Sequence, residues 1–229
     1  MPDTGGQGMH RPPGRAPGGK GVIMRKTIQK VFPVMEHMNI PNTITIAGLI
    51  LGMVNIFFIV QEHYHLYYIC ALLAGIMDTL DGFAAKRLNQ YSELGEQLDS
   101  LCDGINFVLV PAVFAVTRMD MRLGTMICAG IYCACGILRL GYFNILLEEK
   151  TEEKVFVGVP TTIAAVFVQT LVWACTVLCP RLRLAVPTIL LVFGLLMISR
   201  LRFRASNLGR VFFAVVGAAV LAAALIIGK

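Results

Sequence analysis

Charge is scarce in this chain. Only 15% of its 229 residues are charged, 56% are hydrophobic, and the mean hydropathy is +0.71. A water-soluble domain carries about 25% charged and about 45–50% apolar residues. A large soluble core is therefore excluded, and a polytopic membrane protein is implied. The seven cysteines offer no C-x-x-C pair and fall almost entirely inside apolar runs. That excludes a zinc site or disulfide framework and leaves them as small residues packed between helices. No internal repeat is visible, which argues against a transporter built from duplicated halves. The first residues lack the apolar stretch of a signal peptide, so no cleavage is expected.

What charge there is has a pattern. The net charge of +6 raises nucleic acid as a partner, but the basic residues sit in an N-terminal arm and in short loops between apolar runs. That is how membrane topology is written, so no nucleic acid is expected. Residues 1–22 are rich in Gly and Pro and carry Arg11, Arg15 and Lys20, which predicts a disordered arm. Residues 23–39 mix Ile, Val, Phe and Met with Arg25, Lys26 and Lys30, as an interfacial helix bent near Pro33 would.

A membrane-spanning helix needs about 20 mostly apolar residues. Seven candidates follow, at 43–60, 66–88, 97–117, 123–145, 157–179, 184–199 and 208–228. The expected fold is thus all-α and integral to the membrane. A catalytic core spans 40–200, and a basic loop with a peripheral helix fills 201–229. With the N-terminus inside, fourteen Lys and Arg fall on the cytoplasmic side, among them Lys86, Arg87, Arg200 and Arg202, and five on the other. The bias predicts a cytoplasmic N-terminus and puts the link between the second and third helices on that face.

That link holds the chemistry. Residues 78–103 read DTLDGFAAKRLNQYSELGEQLDSLCD. Asp78 and Asp81 are three apart near the end of the second helix; Asp99 and Asp103 are four apart at the start of the third. Both spacings put side chains on one helical face, so a helical hairpin brings four carboxylates to one depth. Unpaired, they repel and are costly to desolvate. No Lys or Arg cluster shares their faces, which leaves divalent metal as the natural partner. Hard oxygen ligands favour Mg2+, Mn2+ or Ca2+ over zinc. Gly82 and Ala85 beside the first pair, and Gly95 one turn before Asp99, open a slot for close approach of a nucleotide. Lys86 and Arg87 follow as phosphate contacts. An ion pathway, or an ordinary solvated face for one pair, is the competing interpretation of intramembrane Asp.

The segment resembles the signature of the CDP-alcohol phosphatidyltransferase family, D-x-x-D-G-x-x-A-R-x8-G-x-x-x-D-x-x-x-D. Asp78, Asp81, Gly82, Ala85, Gly95, Asp99 and Asp103 stand in register, and Lys86 replaces the arginine. Three further stretches resemble the phosphatidylserine synthase branch: IPNTITIAGLILG with Asn42 and Thr45, ILRLGYFNI with Arg139 and Asn144, and FVGVPTTIAA with Thr161 and Thr162. The resemblance covers most of residues 40–170.

The resemblance implies a six-helix catalytic core in the inner membrane with its active site toward the cytoplasm. It implies transfer of the phosphatidyl group of CDP-diacylglycerol to L-serine, with CMP released, two Mg2+ or Mn2+ ions, and a homodimer. Asp78, Asp81 and Asp99 are the expected metal ligands; Asp103 is the expected general base and touches metal too. Asn42, Thr45, Asp78, Asp81, Gly82, Ala85, Lys86 and Gly95 form the expected nucleotide site. Arg139, Asn144, Thr161 and Thr162 form the expected site for acceptor or phosphate. Read without the resemblance, Asn42 is a helix cap after Pro41, Thr161 and Thr162 bond their own helix backbone, and Arg139 pairs with an aspartate. The rival readings are the same chemistry on glycerol phosphate or inositol phosphate, and a divalent-cation channel or transporter.

Overall fold

The computed structural model describes residues 31–148 and 156–203. The expected N-terminal arm, most of the interfacial segment and the helix at 208–228 lie outside the described residues. Met1–Met38 and Asn39–Lys229 form two separate units. In the first, a 3-10 turn spans Pro33–His37, with proline in its first turn and Val34 and Met35 exposed. The amide of an opening proline would find no helical partner anyway, so the turn begins there at no cost.

The second unit is an all-α membrane protein. Six helices among the described residues are long and apolar enough to cross a bilayer: α1 (Ile40–Val60), α2 (Tyr64–Leu88), α3 (Glu93–Arg118), α4 (Leu123–Glu148), α5 (Thr161–Leu178) and α6 (Pro180–Met197). Two starts lie at local signals that hydropathy does not register. Asn39 caps α1, its side chain accepting from Asn42 N at 2.8 Å. The cap is therefore Asn39 and not Asn42, because the accepting oxygen must precede the first turn. Ser92 caps α3, accepting from Gly95 N at 3.1 Å. The helix thus begins at Glu93, four residues before its apolar run. Asn89 closes α2 in the left-handed region (φ 53°), a conformation asparagine tolerates.

α5 begins later than the expected 157. Phe156–Val157 (β1) pairs antiparallel with Arg202–Phe203 (β2), and Gly158 turns the chain with φ 79°. A Cβ on Gly158 would strike the carbonyl of Met197, so only glycine fits this turn. Two bonds fasten it to the end of α6, Gly158 N to Leu201 O at 3.0 Å and Val159 N to Leu196 O at 3.2 Å.

The core sits toward the start of α2 and the end of α3. There Tyr67 and Phe114 stack with centroids 4.7 Å apart, with Tyr68, Val110, Met119 and Tyr132 buried around them. Arg118 ties that end together: its guanidinium lies 4.5 Å over the Tyr64 ring and donates from Nε and Nη2 to Thr176 Oγ1. Arg183 donates to the Arg118 carbonyl and forms a 2.7 Å salt bridge with Asp120. The outward faces carry large apolar side chains, such as Ile50, Met53 and Phe57 on α1, each more than half exposed. On a chain that crosses a bilayer, lipid covers such faces. The opposite ends of α2 and α3 are left to carry the carboxylates.

Candidate active site

α1 organises the site because both carboxylate-bearing helices pack on it. α3 approaches closely: a Cβ on Gly95 would lie 2.6 Å from Asn42 Oδ1, and one on Gly52 would overlap Asn106 Oδ1. Asn106, buried, donates from Nδ2 to Gly48 O at 3.1 Å. It belongs to a π-helical stretch, Gly104–Leu109, that begins immediately after Asp103. Such insertions recur at functional sites because they re-aim the side chains around them.

The four aspartates gather unequally. Asp78, Asp99 and Asp103 each offer a carboxylate oxygen within 4.8 Å of the others. Asp99 is exposed, while Asp78 and Asp103 are half-buried. Asp81 is buried and held by the protein itself: Oδ2 accepts from Thr45 Oγ1 at 2.6 Å, and Oδ1 accepts from Gly82 N at 2.6 Å. Among the described residues, none of the four has a salt-bridge partner. Three converging carboxylates without a cation repel one another strongly in a medium poorer than water. A site of oxygen donors only suits a hard divalent ion, so the residues present fit the metal.

Beside Asp81 opens a cavity of about 550 Å³, within the ~300–1,000 Å³ range of small-molecule sites. Asn42, Thr45, Asp81, Gly82, Ala85 and Gly95 line it. Asp78 and Lys86, the other two expected nucleotide residues, do not. Lys86 is exposed in the last turn of α2, and Arg87 beside it lies 6.0 Å over the Phe83 ring. The two glycines serve different ends. Around Gly82 a Cβ would meet nothing within 4 Å, whereas at Gly95 it would collide with Asn42 and Ser92. Gly82 borders open space; Gly95 lets α3 close on α1.

The expected acceptor residues separate, three at the α4–α5 contact and Asn144 apart from them. Arg139 Nη1 donates to Thr161 Oγ1 at 3.1 Å, joining α4 to the start of α5. Thr161 thus partners the arginine, and among the described residues Arg139 forms no salt bridge, although the charge of Asp103 acts on it. Thr162, half-buried, is next in the same first turn. Asn144 is engaged elsewhere: Asn144 Nδ2 to Ser100 Oγ at 3.0 Å and Ser100 Oγ to Asn144 Oδ1 at 3.1 Å, one hydroxyl serving both ways. Sequence reasoning missed Ser100, although it stands between Asp99 and Asp103. It also missed Gln90, Tyr91, Ser92, Glu93 and Glu96, which line the cavity from the link and the first turn of α3. Only Ser92 carried a signal, that of a cap three residues before Gly95.

Comparison with known proteins bears on the family of the whole chain. The CDP-alcohol phosphatidyltransferase family model matches residues 38–198. A protein of Bacillus subtilis named CDP-diacylglycerol--serine O-phosphatidyltransferase is 33% identical over 127 residues, 55% of this chain and 70% of its own length. A protein of the same name from Methanocaldococcus jannaschii is 31% identical over 177 residues, 77% of this chain and 76% of its own. One from Helicobacter pylori is 31% identical over 141 residues, 60% of this chain and 58% of its own.

Proposed function

Since the chain belongs to the CDP-alcohol phosphatidyltransferase family, and is by that a membrane-embedded transferase, we propose that it transfers the phosphatidyl group of CDP-diacylglycerol to L-serine. The products are phosphatidylserine and CMP. The observation that carries this reading is the convergence of Asp78, Asp99 and Asp103 beside a cavity that Asp81 and Asp99 line. The names of the relatives supply the acceptor.

The family is generally dependent on divalent metal. In this reading Asp78, Asp81, Asp99 and Asp103 would hold two Mg2+ or Mn2+ ions, which would supply positive charge against the pyrophosphate. The chain's own groups do the rest. Asn42, Thr45, Gly82, Ala85 and Gly95 shape the nucleotide slot, with Lys86 at its rim. Asp103 takes the proton of the serine hydroxyl, a poor nucleophile at neutral pH. The serine oxygen forms its bond to the lipid-side phosphorus. The bond from that phosphorus to the bridging oxygen breaks, and CMP leaves with the electron pair. Arg139, steadied by Thr161, receives an anionic group of acceptor or lipid, with Thr162 beside Thr161 and Asn144 contributing from its contact with Ser100. The excess of Lys and Arg in one set of loops supports an inner-membrane protein with N-terminus and site facing the cytoplasm, where serine and CMP are dissolved. Residues 40–200 form the catalytic core in this reading, and the working unit is a homodimer.

Purified protein in detergent with CDP-diacylglycerol and Mn2+ tests the proposal. Serine-dependent CMP release, abolished by chelation and restored by Mn2+, is the expected result. Release that requires glycerol phosphate or inositol phosphate replaces the acceptor; no release with any alcohol sinks the reading.

A further inference from the structure

The end of the bundle opposite the carboxylates is rich in arginine and takes no part in the chemistry proposed above. Arg118 closes α3, Arg122 stands in the link to α4, and Arg181 and Arg183 belong to the 3-10 turn Pro180–Ala185 that opens α6. Contacts fold these stretches together. Arg183 Nη2 donates to the Arg118 carbonyl and to Asp120 Oδ2, both at 2.7 Å. The Arg118 guanidinium is spent on Thr176 and the Tyr64 ring. Arg122 lies two residues past Asp120, and Arg181 two before Arg183, so each stretch brings one more guanidinium to that contact. Both are exposed, and among the described residues neither forms an ion pair. The described links at this end carry two carboxylates, Asp120, already paired with Arg183, and Glu62 between α1 and α2. Four arginines against two carboxylates leave a positive surplus.

Apolar side chains are interleaved with these arginines. Leu182 and Leu184 alternate with Arg181 and Arg183, while Met121 and Leu123 bracket Arg122, and all four are more than half exposed. Exposed leucine beside unpaired arginine is the pattern of a bilayer boundary. There the apolar side chains enter the acyl region and the guanidinium stays at the level of the headgroups. The guanidinium fork matches a phosphate. A free phosphate would satisfy the arginines and leave the leucines bare, whereas a phospholipid covers both.

We propose that Arg122 and Arg181 hold the phosphate of an anionic phospholipid in the leaflet opposite the active site. Its acyl chains lie against Met121, Leu123, Leu182 and Leu184. The headgroup is one of net negative charge, because a zwitterionic lipid sets its own cation against the surplus. Bound there, the lipid bridges the α3–α4 link and the opening turn of α6, and so ties together the two stretches that Arg183 and Asp120 already join.

The test titrates phosphatidylglycerol or phosphatidylcholine into the full chain in detergent and counts bound lipid by native mass spectrometry. Each arginine near a lipid surface is worth about fivefold in affinity. Wild-type protein should therefore hold phosphatidylglycerol roughly tenfold or more tighter than phosphatidylcholine, and the first lipid should raise the melting temperature. Arg122→Gln and Arg181→Gln should each weaken phosphatidylglycerol about fivefold, and the corresponding Lys variants should recover most of the loss. Asp120→Asn removes the competing carboxylate and should tighten binding, a direction that damage to the fold does not produce. Equal affinity of wild type for the two lipids, unchanged affinity in both Gln variants, or weaker binding in Asp120→Asn overturns the inference. Inorganic phosphate at matched concentration and ionic strength should leave phosphatidylglycerol in place. Displacement would assign the arginines to a soluble anion and overturn the lipid. Should a Gln variant fail to fold, the two-lipid comparison on wild type and the Asp120→Asn titration still decide.

Discussion

Thr45 on α1 and Asp81 on α2 are joined by a 2.6 Å hydrogen bond, Oγ1 to Oδ2, between two buried side chains. Thr45 Oγ1 also lies 3.1 Å from the Pro41 carbonyl. Its single proton is thus shared between its own helix and the carboxylate. A hydroxyl placed behind a ligating carboxylate fixes the carboxylate's orientation, and losing such a partner costs about 10–100-fold in metal affinity. Thr45→Val keeps the shape and removes the donor. It should weaken Mn2+ binding by about that factor, read from the free Mn2+ resonance during titration of the purified protein. Thr45→Ser should keep most of the affinity. Equal affinity in the Val variant would show that Asp81 needs no help from α1.

Gly82 and Gly95 predict opposite signatures for the same substitution. At Gly95 an added methyl would lie 2.6 Å from Asn42 Oδ1 and 3.0 Å from Ser92 Oγ. Gly95→Ala must displace the buried Asn42 side chain or move α3 away from α1, and overpacking of this kind costs about 1–3 kcal/mol. The variant should melt several degrees lower and lose activity with it. Gly82→Ala meets no atom within 4 Å, yet its methyl points into the cavity that Gly82 lines. Its melting temperature should match the wild type while the KM for CDP-diacylglycerol rises. Thermal melts paired with substrate titrations separate the two.

These contrasts mark what the sequence could and could not convey. The helices were legible because each spans a run of apolar residues long enough to cross a bilayer. Their starts were not, because Ser92 and Asn39 act through single hydrogen bonds that leave no trace in hydropathy. The aspartates were legible because spacings of three and four select one helical face. That Asp81 would be held by a hydroxyl while the other three form the tighter cluster was not, since its partner Thr45 lies 36 positions earlier on another helix. Asn144 presents the same difficulty, bonded to Ser100 across 44 positions. Gln90 and Tyr91 escaped notice because a link has no period to betray which side chain faces inward.

Asp103 separates proton transfer from metal binding. It shares the 4.8 Å cluster with Asp78 and Asp99. Asp103→Asn keeps the size of the side chain and an oxygen for coordination, but it cannot accept the hydroxyl proton. Loss of a general base costs about 10²–10⁴ in rate. Turnover should fall by that factor with the KM for CDP-diacylglycerol little changed. One fewer negative charge among three also relieves repulsion, so the variant should melt no lower than wild type in the presence of chelator. Near-normal turnover would remove Asp103 as the base and leave it as a ligand.

Arg139 is half-buried, donates to the neutral hydroxyl of Thr161 at 3.1 Å, lies 5.7 Å over the Phe143 ring, and keeps a buried Nε without a hydrogen-bond partner among the described residues. A half-buried guanidinium that feels the charge of Asp103 without forming a salt bridge to it can still take an anion of its own, and its planar fork suits a carboxylate. If that anion is the serine carboxylate, Arg139→Ala should raise the KM for serine by ~10-fold or more, the worth of a charge-assisted hydrogen bond. The KM for CDP-diacylglycerol would stay near wild type. Arg139→Lys should recover only part of the loss, because an ammonium cannot make the paired contact. Ethanolamine, which lacks the carboxylate, supplies the control. Wild-type enzyme should use it poorly, and Arg139→Ala should shrink the preference for serine by lowering serine alone. A rise in the KM for CDP-diacylglycerol instead would assign Arg139 to the lipid phosphate and return the choice of alcohol to other residues.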